Sequence, residues 1–292
     1  MSYRTRFAPS PTGPLHLGHA FSAMVAARRA EVAGGQFLLR IEDIDQSRAR
    51  PAWEAQIDED LTWLGLDWPR PVMRQSQRLP AYRAALQQLW DMGLLYPCAC
   101  TRRDIAEAVS APQEGAEPAH GPDGLVYPGT CRPALPPTGP LPDAVLRLDM
   151  DRALERACRH EGLYFTETGK GPHGESGARP IARRRMIDKV GDVVLARQGM
   201  GTSYHLSVVV DDAAQGITEV VRGQDLFDAT PIHALLQRLL GLPAPLYHHH
   251  RLIRDDEGKR LAKRDDARAI RLYRDEGKTP ADILKMIGLA RR

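Results

Sequence analysis

Near its start the chain changes habit quickly. Tyr3 to Ala8 is a short run with apolar edges and reads as a strand. Pro9 to Pro14, PSPTGP, follows as a loop whose prolines and Gly13 fix the backbone. From Leu17 the apolar residues Leu17, Phe21, Met24 and Val25 recur at three- and four-residue spacing, which predicts a helix stopped at Gly34-Gly35. Phe37 to Ile41 is then mostly apolar and strand-like. Strand, loop, helix, strand is a βαβ unit, and the first turn of such a unit meets phosphates because free amides at a helix N-terminus attract anions.

The same reading continues downstream. Pro51 opens a helix with Trp53, Ile57, Leu61 and Leu64 on one face and Gly65 beyond it. Pro80 to Met92 carries Tyr82, Leu86, Leu89 and Trp90 at helical spacing, and both helices read as packing elements. Ala111 to Gly124 has the composition of a flexible loop, and the proline-rich Pro133 to Pro142 marks the return from an inserted subdomain. Val193 to Leu195 and Tyr204 to Asp211, separated by Gly199 and Gly201, predict a hairpin in which Val208 to Val210 is a buried strand ending at Asp211-Asp212. Ile217 to Arg222 predicts a further strand closed by Gly223. A helix follows with Thr230 as its cap, Pro231 in its first turn, Leu235, Leu236, Leu239 and Leu240 facing inward, and Gly241 after it. Ile283 to Leu289 is a last short helical pattern.

Composition narrows the class. At 292 residues the chain can bury a substantial core as one large domain, or as a domain with an inserted subdomain. No run of eighteen apolar residues exists and the N-terminus lacks a charged-then-apolar signal, so a soluble, cytoplasmic protein without a membrane partner is expected. A monomer is expected as well. A net charge of +3 permits contact with RNA without demanding it. Cys98, Cys100, Cys131 and Cys158 are too few for a secreted disulfide framework, and the first three cluster.

The candidate chemistry sits in a few places. His16-Leu17-Gly18-His19 puts two imidazoles three positions apart at a helix start, where they can donate to phosphate oxygens, while Gly18 leaves the backbone open to a flat base. Such a pair is otherwise an ordinary surface cap. Far downstream, Gly258-Lys259-Arg260-Leu261-Ala262-Lys263-Arg264 presents lysine in a basic loop. Glu42, Asp43 and Asp45 follow the second strand, at the end where open parallel sheets bind ligands. Cys98-Ala99-Cys100 and Cys131 offer three thiolates for a closed, structural zinc site, whose fourth ligand is His120 or Tyr127, with general ligand preference favouring histidine. Reduced, unmetallated cysteines are the alternative. Arg179, Arg183, Arg184, Arg185 and Lys189 form a basic stretch that suits RNA phosphates or, more commonly, a solvated face. His248-His249-His250 invites a metal, yet adjacent strand residues point to opposite faces, so ordinary strand or loop histidines are expected.

Taken together, HLGH and KRLAKR resemble the His-Ile-Gly-His and Lys-Met-Ser-Lys-Ser signatures of class I aminoacyl-tRNA synthetases, and RFAPSPTG followed by LLRIEDID resembles the glutamyl branch. The resemblance runs from Arg6 to Arg264 and implies an α/β fold with a Rossmann-like parallel sheet, an inserted zinc-binding subdomain and a short helical C-terminal segment. Its implied domains are 1–96, the first half of the nucleotide-binding catalytic domain; 97–142, the zinc-binding insertion; 143–264, the second half with the lysine loop; and 265–292, the C-terminal segment.

The implied site is equally specific. Catalysis and ATP binding fall to His16, Gly18, His19 and Lys263, with magnesium accompanying ATP. Glutamate falls to Arg6, Phe7, Ala8, Pro9 and Ser10, with Glu42 on its ammonium, and to Tyr204 and Arg222 within YHLSVVVDDAAQGITEVVRGQDL. Arginine, leucine and Ala262 replace consensus residues of the lysine loop, while Lys263 keeps the second lysine. The CxC and YxxxC arrangement is similar to that of glutamyl-queuosine tRNA(Asp) synthetases, which implies zinc on Cys98, Cys100, Tyr127 and Cys131. Only 28 residues follow Arg264, too few for the helical anticodon-reading region of full glutamyl-tRNA synthetases. The expected reaction is therefore tRNA-independent activation of L-glutamate, then transfer to the queuosine base of tRNA(Asp). A compact enzyme acting on tRNA(Glu) and a silent RNA- or amino-acid-binding paralogue are the competing expectations.

Overall fold

A computed structural model describes residues 2–110, 119–254 and 268–290. β1 (Arg4–Phe7), α1 (Leu17–Val32) and β2 (Gln36–Ile41) form the expected βαβ unit, with β1 and β2 parallel in the register Arg4 to Gln36 through Phe7 to Leu39. The turn into β2 needs glycine. A Cβ on Gly35 would stand 2.3 Å from the Tyr3 carbonyl oxygen, so any side chain there would push the strands apart. α2 (Pro51–Trp63) crosses to β3 (Met73–Arg74), which adds parallel to β2. α3 (Leu79–Asp91) carries the Tyr82, Leu86, Leu89 and Trp90 face into the core.

The chain then leaves this sheet. β4 (Leu95–Pro97), α4 (Arg102–Ser110) and the small hairpin of β5 (His120–Gly121) and β6 (Gly124–Leu125) carry the cysteine region. The flexible loop expected over Ala111 to Gly124 falls partly on 111–118, outside the described residues, and its remainder forms this hairpin. β7 (Leu146–Leu148) pairs antiparallel with β4, then come α5 (Met150–Ala157), β8 (Tyr164–Glu167), β9 (Gly177–Pro180), α6 (Arg183–Lys189) and β10 (Val194–Ala196). β10 pairs with β7, completing a small antiparallel sheet of order β10-β7-β4.

The hairpin expected between Val193 to Leu195 and Tyr204 to Asp211 is not formed. Tyr204 to Ala214 is a helix, α7. β-branched valines favour strands, but α7 buries His205, Leu206, Ser207, Val208, Val209, Asp211 and Asp212, leaving little of it in solvent, and it packs against α3 and α8. Burial on nearly every side removes the period by which a helix is recognised in sequence, and tertiary packing overrides propensity.

β11 (Glu219–Gly223), α8 (Thr230–Leu240) and β12 (Leu246–His250) return to the main sheet, and α9 (Ile270–Asp275) and α10 (Pro280–Met286) cover its far side. Thr230 is not the cap of α8. A 3-10 turn over Gln224–Ala229 leads straight into that helix, and the Thr230 hydroxyl instead accepts from Arg222 at 2.7 Å. β11, β12 and β8 are parallel, with β9 antiparallel at the edge. β1 lies beside β11, tied by the Thr218 N–H donating to the Arg4 carbonyl at 2.9 Å. The strands therefore run outward from the β1–β11 seam in both directions, and such a reversal of strand order is where open α/β sheets leave a ligand crevice. No described helix is long and apolar enough to cross a membrane.

Candidate active site

A cavity of about 510 Å³ opens at that seam. Its walls bring together Arg6, Phe7, Ala8, Pro9 and Ser10 after β1, His16, Gly18 and His19 at the start of α1, Glu42 after β2, Tyr204 at the start of α7, and Arg222 near the end of β11. Residues far apart in sequence meet because each lies at the same end of a strand or the mouth of a helix.

The two histidines form the cap of α1. His16 Nδ1 accepts from the Gly18 N–H and His19 Nδ1 accepts from the His16 N–H, both at 3.1 Å, and the rings lie 3.8 Å apart. An imidazole nitrogen that accepts is unprotonated, so in each neutral ring Nε2 carries the proton and is a donor. Gly18 gives the His16 ring its place: a Cβ there would sit 3.0 Å from His16 Cε1.

The acidic and basic groups divide into two sets. Arg6 donates to both carboxylate oxygens of Asp212, at 2.8 and 3.2 Å. Arg40, fully buried, donates to Asp212 at 2.6 Å and to Glu42 and the Gln215 side chain at 3.0 Å each. Arg6 and Glu42 thus do not pair with each other across the strands; Asp212 and Arg40 stand between them. Burial alone would raise Asp212, yet Arg6 and Arg40 hold its carboxyl below the usual range. Burial pushes Glu42 above its ordinary range despite Arg40, which marks a carboxylate short of positive partners. Arg222 is the opposite case. Among the described residues its guanidinium meets only neutral acceptors, His249 Nε2 at 3.1 Å, His233 Nδ1 at 3.0 Å and the Thr230 hydroxyl at 2.7 Å. The Tyr204 ring packs edge-on to His205 and His233, and burial raises its phenol pKa.

Lys263 and the rest of Lys259 to Arg264 lie outside the described residues. The flanks of 255–267 border the cavity: Arg251, Leu252 and Ile253 line it, and beyond the gap Ala269 bridges His16 while the Ile270 N–H donates to the Leu15 carbonyl at 2.8 Å.

The cysteine region forms a second, separate cluster. The Cys98, Cys100 and Cys131 sulfurs all lie within 4.8 Å of one another. The Tyr127 hydroxyl sits among them, 3.5 Å from Cys98 Sγ and 3.4 Å from Cys100 Sγ, and accepts from the Cys131 N–H at 2.7 Å. The Arg147 guanidinium lies over the Tyr127 ring and donates to Cys98 Sγ at 3.2 Å. Three thiols this close could hold a metal ion and are compatible with zinc. His120 is on β5 and belongs to no metal-sized group among the described residues. Cys158, apart from the cluster, packs half-buried against the main core.

The remaining sequence features are quieter. In the basic stretch Arg183, Arg184 and Arg185 are exposed and pair with Asp151, Asp188 and Asp228. His248, His249 and His250 lie along β12, and no metal-sized group among the described residues includes them. Sequence reasoning missed Asp212, Arg40, His233 and His249 as neighbours of the site. Asp212 was in view as part of VVVDD, but reading that run as a strand hid its direction. Nothing local singles out Arg40 or His233.

The family model for tRNA synthetases class I (E and Q), catalytic domain, matches residues 2–121 and 180–291. A relative from Rhodobacter capsulatus named Glutamyl-Q tRNA(Asp) synthetase is 63% identical over 287 residues, covering 98% of this chain and 99% of the relative. Another of that name from Nocardia farcinica is 43% identical, covering 97% and 82%. The crystal structure of a glutamate tRNA ligase from Elizabethkingia meningosepticum, in complex with its amino acid, superposes with a TM-score of 0.74 at 26% identity, covering 99% of this chain; this chain spans 61% of that one. A Mycobacterium tuberculosis methionyl-tRNA synthetase, at 12% identity and a TM-score of 0.59, shares the fold alone.

Proposed function

The chain belongs to the glutamate and glutamine branch of the class I tRNA synthetases and, within it, to the glutamyl-Q tRNA(Asp) synthetases, and from that premise we propose that it activates L-glutamate with ATP and transfers it to the queuosine base in the anticodon loop of tRNA(Asp). The observation that carries the glutamate half is Arg222, a buried cation in the cavity wall whose acceptors among the described residues are all neutral. A substrate carboxylate is the partner such a charge lacks, and a neutral amide would leave it unpaired, which is how glutamate is told from glutamine. Glu42, its pKa raised, takes the ammonium, and the Tyr204 hydroxyl and the Arg6 to Ser10 segment complete the amino-acid subsite.

In this reading the α-carboxylate oxygen attacks the α-phosphorus of magnesium-bound ATP and pyrophosphate leaves. The protein supplies position and charge. His16 and His19 donate through Nε2 to phosphate oxygens at the positive end of α1, Gly18 admits the nucleotide, and Lys263 meets the departing pyrophosphate. The hydroxyl of the modified base then attacks the activated carbonyl and AMP leaves. Cys98, Cys100, Tyr127 and Cys131 hold one zinc ion, whose contribution is to fix the fold of the 97–142 insertion. Pyrophosphate exchange tests the first step. The protein alone, without tRNA, should exchange labelled pyrophosphate into ATP with glutamate and not with glutamine; no exchange, or equal exchange with both, overturns the assignment.

A further inference from the structure

Two hydrogen-bonded chains lead away from Arg222, and the reaction just described gives them no role. A guanidinium only donates, so His249 Nε2 and His233 Nδ1, its acceptors at 3.1 and 3.0 Å, are both unprotonated. Each ring must then donate through its other nitrogen. His249 Nδ1 reaches Glu167 Oε2 at 2.5 Å. His233 Nε2 reaches His205 Nδ1 at 3.1 Å, which leaves His205 Nε2 to donate to the carboxylate of Asp123 at 3.0 and 3.1 Å. One assignment of protons satisfies every contact, with all three histidines neutral and each arm ending on a carboxylate.

Burial agrees with that assignment. Arg222, His205, His233, His249 and Glu167 are all buried, and burial, with Arg222 beside them, lowers the pKa values of His233 and His249. Burial would raise the two terminal carboxylates, but the bonds from His205 and His249 hold Asp123 and Glu167 below their ordinary values. The arms differ in where they end. Glu167 is locked into the sheet, its Oε1 accepting the Gly169 and His249 N–H groups at 2.7 and 2.9 Å. Asp123 is half-exposed, in the turn of the β5–β6 hairpin, which precedes Tyr127 in the chain.

We infer that Asp123, His205 and His233 are positioning residues for Arg222, forming a relay by which a hairpin of the cysteine region sets the affinity of the site for an acidic amino acid. A carboxylate placed directly on Arg222, as Asp212 is on Arg6, would fix the guanidinium and cancel its charge together. Neutral rings fix its direction and leave the charge for the ligand, while the oxygen acceptor at the far end holds each ring in the tautomer that accepts from the next donor. The inference rests on the reading that Arg222 receives a carboxylate of glutamate.

The test uses the full chain in pyrophosphate exchange, with melting temperatures measured for every variant. D123A cuts the relay at the surface, so the glutamate KM should rise about fivefold or more, the scale of a hydrogen bond to a charged system, while kcat and the ATP KM stay within about twofold. D123N, which retains an oxygen acceptor, should recover most of the loss. In an H233F background, where the relay is already broken, D123A should add nothing further. A glutamate KM unchanged in D123A, an equal rise in the ATP KM, or multiplying effects of D123A and H233F would overturn the relay. Should H233F not fold, the contrast between D123A and D123N decides alone. Wild-type protein without glutamate-dependent exchange would overturn the functional reading and the relay with it, whereas an active wild type with an indifferent D123A overturns the relay only.

Discussion

Arg6 and Arg222 carry the same side chain into one cavity in different electrical states, because Asp212 accepts from the first and, among the described residues, two histidines and a threonine accept from the second. The account puts the selectivity for glutamate on Arg222. R222K should therefore raise the glutamate KM about a hundredfold, since an ammonium cannot span three fixed acceptors and a planar carboxylate at once. A change below about threefold in exchange kinetics would remove Arg222 from that role. Asp60 gives a prediction of another kind. It is fully buried on α2, and the Arg274 guanidinium stands 3.9 Å away. Burial, against the pull of Arg274, pushes its pKa from 3.8 to about 6. The folded protein thus holds a proton that the unfolded chain has already lost, so stability falls as pH rises from about 4 to 6 and stays reduced above that. D60N should stabilise the fold by up to about 3 kcal/mol at pH 8 and by nothing near pH 3, read as the pH dependence of urea unfolding. At this scale the sequence revealed least. RFAPSPTG and HLGH stand out as text, but Asp212 and Arg40 matter only through contacts across more than a hundred residues, and His233 through a contact from α8 back onto β11, and no local pattern announces such partners.

Elements show why some of the fold was readable and some was not. α1 could be found from its start, where proline, histidine and the apolar period coincide, and its cap is built from the residues that made the motif conspicuous. G18A should test that coincidence. The added methyl would press on the His16 ring and weaken the bond from the Gly18 amide, so the ATP KM should rise roughly fivefold, about the 1 kcal/mol of a lost cap, with the glutamate KM unchanged. Equal ATP binding in G18A would mean that the cap does not serve the nucleotide. α7 defeated the same method. A run such as YHLSVVVDD has no polar face because the helix has almost no solvent face, and valine propensity then points to the wrong element. The cysteine region lies between these cases: spacing offered three thiols with His120 or Tyr127 beside them, the resemblance pointed to Tyr127, and in space it is the Tyr127 hydroxyl that lies among the sulfurs. Metal analysis after thorough dialysis should find about one zinc per chain and markedly less in C131S, as expected for a tight structural site; under about a tenth of an equivalent in the parent protein would contradict it.

The whole molecule explains why so short a stretch of recognisable text suffices. A parallel sheet that reverses its strand order beside β1 gathers the ends of β1, β2 and β11 and the mouths of α1 and α7 around one crevice, and the chain on both sides of 255–267 returns to the same place. The βαβ start followed from periodicity, and the α/β class was implied by the family resemblance. The antiparallel sheet β10-β7-β4 and the seam between β1 and β11 were legible in neither, because they depend on pairings between distant segments. The central claim joins this crevice to two substrates in turn, glutamate with ATP and then a modified base. Labelled glutamate, ATP and total tRNA, drawn from cells with and without queuosine, test it together when the RNA is digested to nucleosides and the label is located. The account predicts label on the queuosine nucleoside of tRNA(Asp) alone and none in the queuosine-lacking pool; label on a terminal adenosine, or equal labelling of both pools, would contradict it.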